Sequence, residues 1–274
     1  IEPKENIIYP ILKEGNLAML YAKTGAGKTF VSLELALTVA NGGEMFDGRW
    51  KASKPKKVLF VDGEMSFEDI QERLKNIAKR KGTEFSMENF SIINQENQEM
   101  DIPDIGTKEG QLAIEDCIQE DTKLIILDNL STLLRSGREN DSESWIAVQS
   151  WLLSLRKRSI AVLIVHHAGK NGDYRGASKK TDILNTIIRL EKLEDDTQDD
   201  STRFEVKYEK RRNFTGISAR GFEVVLTDDG FITKDLGNDA IMEKALKFSK
   251  QGLSYIQIGM KLGFDKLGLS EAGM

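Results

Sequence analysis

Cysteine is almost missing from this chain of 274 residues: Cys117 stands alone. No disulfide can close within the chain, and a reducing, cytoplasmic setting is the expectation. No run of about 18 apolar residues occurs, so no membrane-spanning helix is expected. The first ten residues lack the basic-then-apolar pattern of a secretory signal. The chain starts at Ile1 rather than Met, as expected of one trimmed or excised from something longer. An excess of positive charge is missing too. Lys and Arg number 39 against 44 Asp and Glu, for a net charge of −5. That argues against a surface coated for duplex nucleic acid and leaves only local positive charge, such as loops around a pore. Histidine is confined to His166 and His167, which as strand neighbours point to opposite faces. With one distant cysteine, they argue against a zinc site.

What is present is an ordinary apolar content of 39%, enough for one large α/β domain and a small appendage. Leu17-Ala-Met-Leu-Tyr21 predicts a strand, followed by a loop and a helix that Gly42 and Gly43 end. Lys57-Val-Leu-Phe-Val-Asp62 predicts a second buried strand. Residues 67–81 predict an amphipathic helix capped by Gly82. Further strands are expected at 90–93, 123–128 and 161–165, with helices near 111–119 and 145–158. Residues 94–110, 135–144 and 169–180 are polar and predict loops. From 183 onward the pattern changes to strands at 183–190, 202–209, 221–226 and 231–234, expected to extend one sheet edge as an antiparallel run. Residues 1–237 are therefore expected to form an α/β domain with a largely parallel sheet, and 238–274 a helical tail. Ligands of such sheets bind at the carboxyl ends of the strands.

Ala22-Lys-Thr-Gly-Ala-Gly-Lys-Thr29 sits between the first strand and the first helix. Small residues allow backbone N–H groups to turn inward around phosphates. Thr24, Gly25, Ala26, Gly27, Lys28, Thr29 and Phe30 are the expected nucleotide-binding residues. Lys28 is expected to reach the β- and γ-phosphates, and the Thr29 hydroxyl to bind Mg²⁺. The usual first glycine of such a loop is Ala22 here. Asp128 ends an apolar strand, where a carboxylate that orders Mg²⁺ belongs. Asn129 follows it, so the base that activates water must come from elsewhere. Glu64, just past the second strand, is the candidate, with Asp62 as runner-up. One of the two histidines is expected to sense the γ-phosphate.

Taken in order, Ala22–Thr29, Asp62-Gly-Glu64, Leu127-Asp128-Asn129, His166-His167, Arg175-Gly-Ala-Ser178 and Lys210-Arg-Arg212 resemble the RecA-like hexameric ATPases. Within these the chain looks most like RepA-type and DnaB-like replicative helicases and the ATPase modules of primase–helicases. The resemblance implies that Glu64 is the catalytic base and His167, rather than His166, the γ-phosphate sensor. It also implies that Lys210 and Arg212 act in trans, as fingers completing a neighbour's site in a hexameric or heptameric ring. ATP and Mg²⁺ are the implied cofactors and single-stranded DNA the implied partner, with a primase or replication-initiation protein as a further one.

In such rings DNA runs past the loops that follow the Mg²⁺ strand and the sensor strand, here 131–144 and 168–180. Their cations Arg135, Arg138, Lys170, Arg175, Lys179 and Lys180 are the expected phosphate contacts. The tail reads as the front of a helix-turn-helix, whose recognition helix would fall in 265–274. Two alternatives stand beside a helicase: a RecA- or RadA-like recombination or maintenance ATPase that does not unwind, and a KaiC-like regulatory ATPase that acts on proteins.

Overall fold

Strands buried on both faces alternate with helices through the first two thirds of the chain, and this pattern builds a layered sheet. The computed structural model describes residues 3–82, 86–98, 101–136, 142–169, 181–193, 203–227, 230–235 and 248–261. β1 (Asn6–Ile8) and β2 (Leu12–Lys13) form a small antiparallel ribbon. β3 (Leu17–Ala22) leads through a glycine loop into α1 (Lys28–Asn41). A hairpin of β4 (Gly43–Met45) and β5 (Trp50–Ala52) precedes β6 (Lys57–Asp62) and α2 (Phe67–Lys81). Next come β7 (Phe90–Asn94), α3 (Lys108–Glu115), β8 (Thr122–Asp128) and the single turn α4 (Leu130–Leu133). α5 (Ser142–Lys157) and β9 (Ala161–His167) complete the alternating part. β10 (Thr186–Lys192), β11 (Arg203–Arg211), β12 (Phe222–Thr227) and β13 (Gly230–Asp235) follow.

The chain divides into two compact units, Ile1–Lys234 and Asp235–Met274. The second contains α6 (Tyr255–Lys261), whose entry is capped by Ser254 and Gln257. The expected recognition helix at 265–274 lies outside the described residues. Among those described, no helix is long and apolar enough to cross a membrane.

The main sheet has nine strands in the order β13-β12-β11-β10-β3-β9-β8-β6-β7. From β10 to β7 every pairing is parallel, and β11 and β12 continue antiparallel. The expected α/β sheet with a parallel core and an antiparallel edge is thus present. One detail is corrected: the strand expected to open the antiparallel run, β10, lies parallel to β3. The stretch from His167 to Thr186 is long enough for the crossover that a parallel neighbour requires. Alternation along β3 divides the core. Ala18 and Leu20 face the cluster with Val31, Ile70 and Ile77 of α1 and α2, whereas Leu17, Met19 and Tyr21 face the cluster with Trp145, Val148 and Leu152 of α5.

The hairpin of β4 and β5 has no counterpart in the sequence reading. Phe46 and Asp47 turn it with φ of 55° and 52°, a left-handed backbone that disfavours most side chains. Packing outweighs that cost. The Phe46 ring meets Trp50 at 4.8 Å, Phe231 at 4.9 Å and Phe222 at 5.4 Å between centroids, and the Asp47 carboxylate accepts from the Thr233 N–H at 2.8 Å. The hairpin therefore clasps the antiparallel edge of the sheet. Phe46→Ala is expected to cost about 3–5 kcal/mol in urea unfolding, the usual loss for a buried aromatic. A loss under about 1 kcal/mol would show that the clasp contributes little.

Candidate active site

Parallel strands bring their carboxyl ends together: β7, β6 and β8 end level, and β9 runs two residues past the level of Asp128. Asp62 pairs with Asn94 on one side and with Asp128 on the other, and Ala22 pairs with His167. The ends of β7, β6, β8, β9 and β3 thus carry Asn94, Asp62, Asp128, His167 and the start of the glycine loop.

The loop has the backbone of an anion cradle. Gly25 and Gly27 have φ of 78° and 84°, where a side chain would be strained. α1 starts at Lys28 with no side-chain cap and no acidic residue in its first turn. α2 offers the contrast: Ser66 caps it, and Glu68 and Asp69 occupy its first turn. The N–H groups at the entry of α1 are thus left facing the loop, the arrangement that attracts phosphate. Lys28 is buried, and its Nζ donates to the carbonyls of Ala22 at 3.2 Å and Lys23 at 3.1 Å. Burial lowers its pKa, opposed by Asp128 and Glu64.

A cleft of about 260 Å³ opens over this row. Thr24, Gly25, Gly27, Lys28, Thr29 and Phe30 line one side, and Glu64, Met65, Arg73, Asp128 and His167 the other. Ala26 lies buried beneath the loop. The structure thus brings together residues expected from four separate stretches of sequence. The Glu64 carboxylate is about half exposed. It accepts from the Asn129 amide and lies 3.5 Å from His167 Nε2. His166, its strand neighbour, is fully buried instead. Asp62 has a different setting from Glu64. Its Oδ2 accepts from the N–H groups of Met65 at 2.8 Å and Glu64 at 3.2 Å and from Asn94 Nδ2 at 3.0 Å. It shapes the turn on which Glu64 stands.

Lys210 and Arg212 do not join the cleft. Lys210 pairs with Ile187, which pairs with Met19, two strands across and three residues back from Ala22. Lys210 Nζ donates to the Thr181 carbonyl at 2.5 Å, and Arg212 Nη2 to that of Asp182 at 3.2 Å. Of the expected nucleic-acid contacts, Arg135 is exposed and its guanidinium donates to the Ile102 carbonyl. Arg138, Lys170, Arg175, Lys179 and Lys180 lie outside the described residues.

Four contributors went unread in the sequence. Ser32 Oγ lies 2.9 Å from Asp128 Oδ2, fixing that carboxylate against α1. Asn129 holds Glu64. Gly63 lets two elements close in: a Cβ there would stand 2.5 Å from Thr132 Oγ1, and its N–H donates to the Asp128 carbonyl at 2.8 Å. The Arg73 guanidinium lies 4.6 Å from the Phe30 ring centroid, a flat cationic and aromatic pair at the cleft edge.

Among the described residues no group of three or more His, Cys, Asp or Glu side chains is arranged to hold a metal ion by itself. Mg²⁺ at a phosphate site needs no such cage, because it takes one or two carboxylates and completes its octahedron with water and phosphate oxygens. Asp128 and the Thr29 hydroxyl on the cleft wall fit that demand.

Burial and the neighbouring Asp62 push the Asp128 carboxyl up to about 7, against the pull of Ser32 and Lys28. Burial raises Asp62 as well. The folded chain therefore holds the Asp128 proton to about pH 7, whereas the unfolded chain releases it near pH 4. Metal-free stability falls as pH rises through that window. Asp128→Asn is expected to raise metal-free stability by about 2 kcal/mol at pH 8 and by little at pH 4. Urea unfolding in EDTA at both pH values measures this, and equal shifts at the two would contradict it.

Residues 1–173 match the family described as AAA domain. No curated protein matches the chain. Among solved structures, the crystal structure of the RadB recombinase aligns with a TM-score of 0.55 and 18% identity, over 80% of this chain and 90% of that one. A likeness at that identity is one of fold, and the shared fold is the RecA-type sheet. Because the family match runs unbroken from β1 through the glycine loop, both acid-bearing strands and β9, the chain belongs to the AAA domain family and is an ATPase with a RecA-type fold.

Proposed function

We propose that the chain is the motor domain of a ring, a hexamer in the first instance, that couples ATP hydrolysis to movement along single-stranded DNA, as RepA- and DnaB-like helicases do. One observation carries this reading. The basic pair Lys210 and Arg212 lies away from the chain's own cleft, a placement that suits cations offered to the site of another copy. A cation supplied across an interface ties hydrolysis to assembly.

ATP with Mg²⁺ supplies the transferable phosphoryl group and the polarising charge. Lys28 and the N–H groups from Gly25 to Thr29 bind the phosphates. Thr29 and Asp128 hold the metal. Glu64 takes the proton of the attacking water, with Asn129 and His167 keeping its carboxylate turned into the cleft. His167 registers the γ-phosphate from the β9 side. Arg73 and Phe30 offer a flat face to the base. Single-stranded DNA is assigned to the loops 131–144 and 168–180, with a primase or initiation protein as a further partner. The assigned compartment is the cytoplasm.

A second reading is a recombination or maintenance ATPase that binds DNA without unwinding. A recombinase shares the fold, which supports it to that extent. Filaments instead of closed rings would favour it. A regulatory ATPase directed at proteins is the third.

Steady-state ATPase activity with Mg²⁺ at low salt, with and without a single-stranded oligonucleotide, separates these readings. Several-fold stimulation is expected. A rate indifferent to DNA would leave the ATPase standing and point to protein partners. Glu64→Gln is expected to keep nucleotide affinity and to lower turnover by about 10²–10³-fold, the usual worth of a general base. Normal turnover in that variant would remove Glu64 from the role.

A further inference from the structure

β11 contains one residue more than β10 needs. Ile187 pairs with Lys210 and Ile188 with Tyr208, so Glu209 between them is the extra residue of a bulge. Bulges bend a strand and re-aim the side chains beside them. The Glu209 carboxylate reaches across β10 and accepts from the hydroxyl of Tyr21 on β3. Arg189, the register partner of Tyr21, stands between them, with Nη1 3.8 Å from Glu209 Oε1 and Nη2 2.9 Å from Glu191 Oε1. Tyr21 is buried completely and immediately precedes the glycine loop, and Glu209 immediately precedes Lys210. One hydrogen bond to a charged acceptor therefore joins the residue before the phosphate cradle to the residue before the basic pair. Such bonds are among the stronger ones in a protein interior.

We propose that Tyr21 and Glu209 form a positioning pair that fixes the aim of Lys210 and Arg212 from the donor's own phosphate-loop strand. The cations offered to a neighbour are then set from within the chain that offers them. The proposal rests on the reading that Lys210 and Arg212 act in trans. Neither Tyr21 nor Glu209 touches nucleotide in this account. Their effect passes through the bulge.

The test uses mixed assemblies. An acceptor carries Arg212→Ala, with a working phosphate loop and an incomplete finger. A donor carries Lys28→Ala, with a finger and a dead loop. Activity of the mixture then comes from donor fingers at acceptor loops. Tyr21→Phe placed in the donor, whose own loop is already dead, is expected to lower the mixed rate about tenfold with KM for ATP unchanged. The same change in the acceptor is expected to leave the rate within about twofold. Glu209→Ala in the donor should reproduce the loss. Glu209→Gln, which keeps an oxygen for the Tyr21 hydroxyl, should recover most of the rate. Thermal melting of each variant checks folding, and Glu209→Ala carries the test if Tyr21→Phe does not fold. An unchanged rate with the donor altered, or an equal loss with the acceptor altered, overturns the positioning pair alone. No recovery in the starting mixture, with mixed assemblies shown to form, overturns the trans reading and this proposal with it.

Discussion

Asp62 and Asp128 stand opposite each other on adjacent strands, and both are almost sealed from water. Two carboxylates so placed resist being charged together unless something nearby compensates them. Much of the site answers that constraint. The N–H groups of Glu64 and Met65 and the amide of Asn94 converge on Asp62, so its negative charge is absorbed by a turn. Ser32 approaches Asp128, and the positive charge of Lys28 opposes the rise in its pKa. The pair is therefore under electrostatic tension that added positive charge beside it would relieve. Glu64, set just past the buried row, is about half exposed.

The same sheet separates two sets of charges. The acids, the glycine loop and His167 gather at the carboxyl ends of the parallel strands. Lys210 and Arg212 sit on the antiparallel extension, level with the amino-terminal half of β3. That extension is no loose appendage. Phe204, Phe222 and Phe231 pack into the same core as α1, and the β4–β5 hairpin reaches over to meet them. The basic pair is thus held on a stiff platform.

Much of this was legible in the sequence wherever local chemistry decides. α2 spans the expected residues because Ser66 and Gly82 mark its ends with their own side chain and backbone preference. The glycine loop declares itself through spacing. What stayed hidden depends on partners distant along the chain. The β4–β5 hairpin has three-residue strands and a strained turn at Phe46 and Asp47, and its support comes from the aromatic cluster and from Thr233, both distant along the chain. Gly63 looks like any loop glycine until Thr132 is seen pressing on it. Asn129 reads as the absence of a glutamate, yet its amide grips the glutamate supplied by the neighbouring strand. Arg73 meets Phe30 only once α2 lies along α1. The parallel placement of β10 depends on a crossover whose path the apolar pattern does not encode.

The alignment of strand ends has a consequence for how such a chain can vary. Asp62, Asp128 and His167 each occupy the last position of their strands. Substitution inside a strand alters packing and can be absorbed by neighbours. Adding or deleting one residue there is another matter. It carries the terminal side chain about 3.3 Å along the strand and turns it to the opposite face. Divergence among chains built this way is therefore permissive in composition and strict in length, with insertions confined to the loops beyond the row and to the turns at the other end of the sheet.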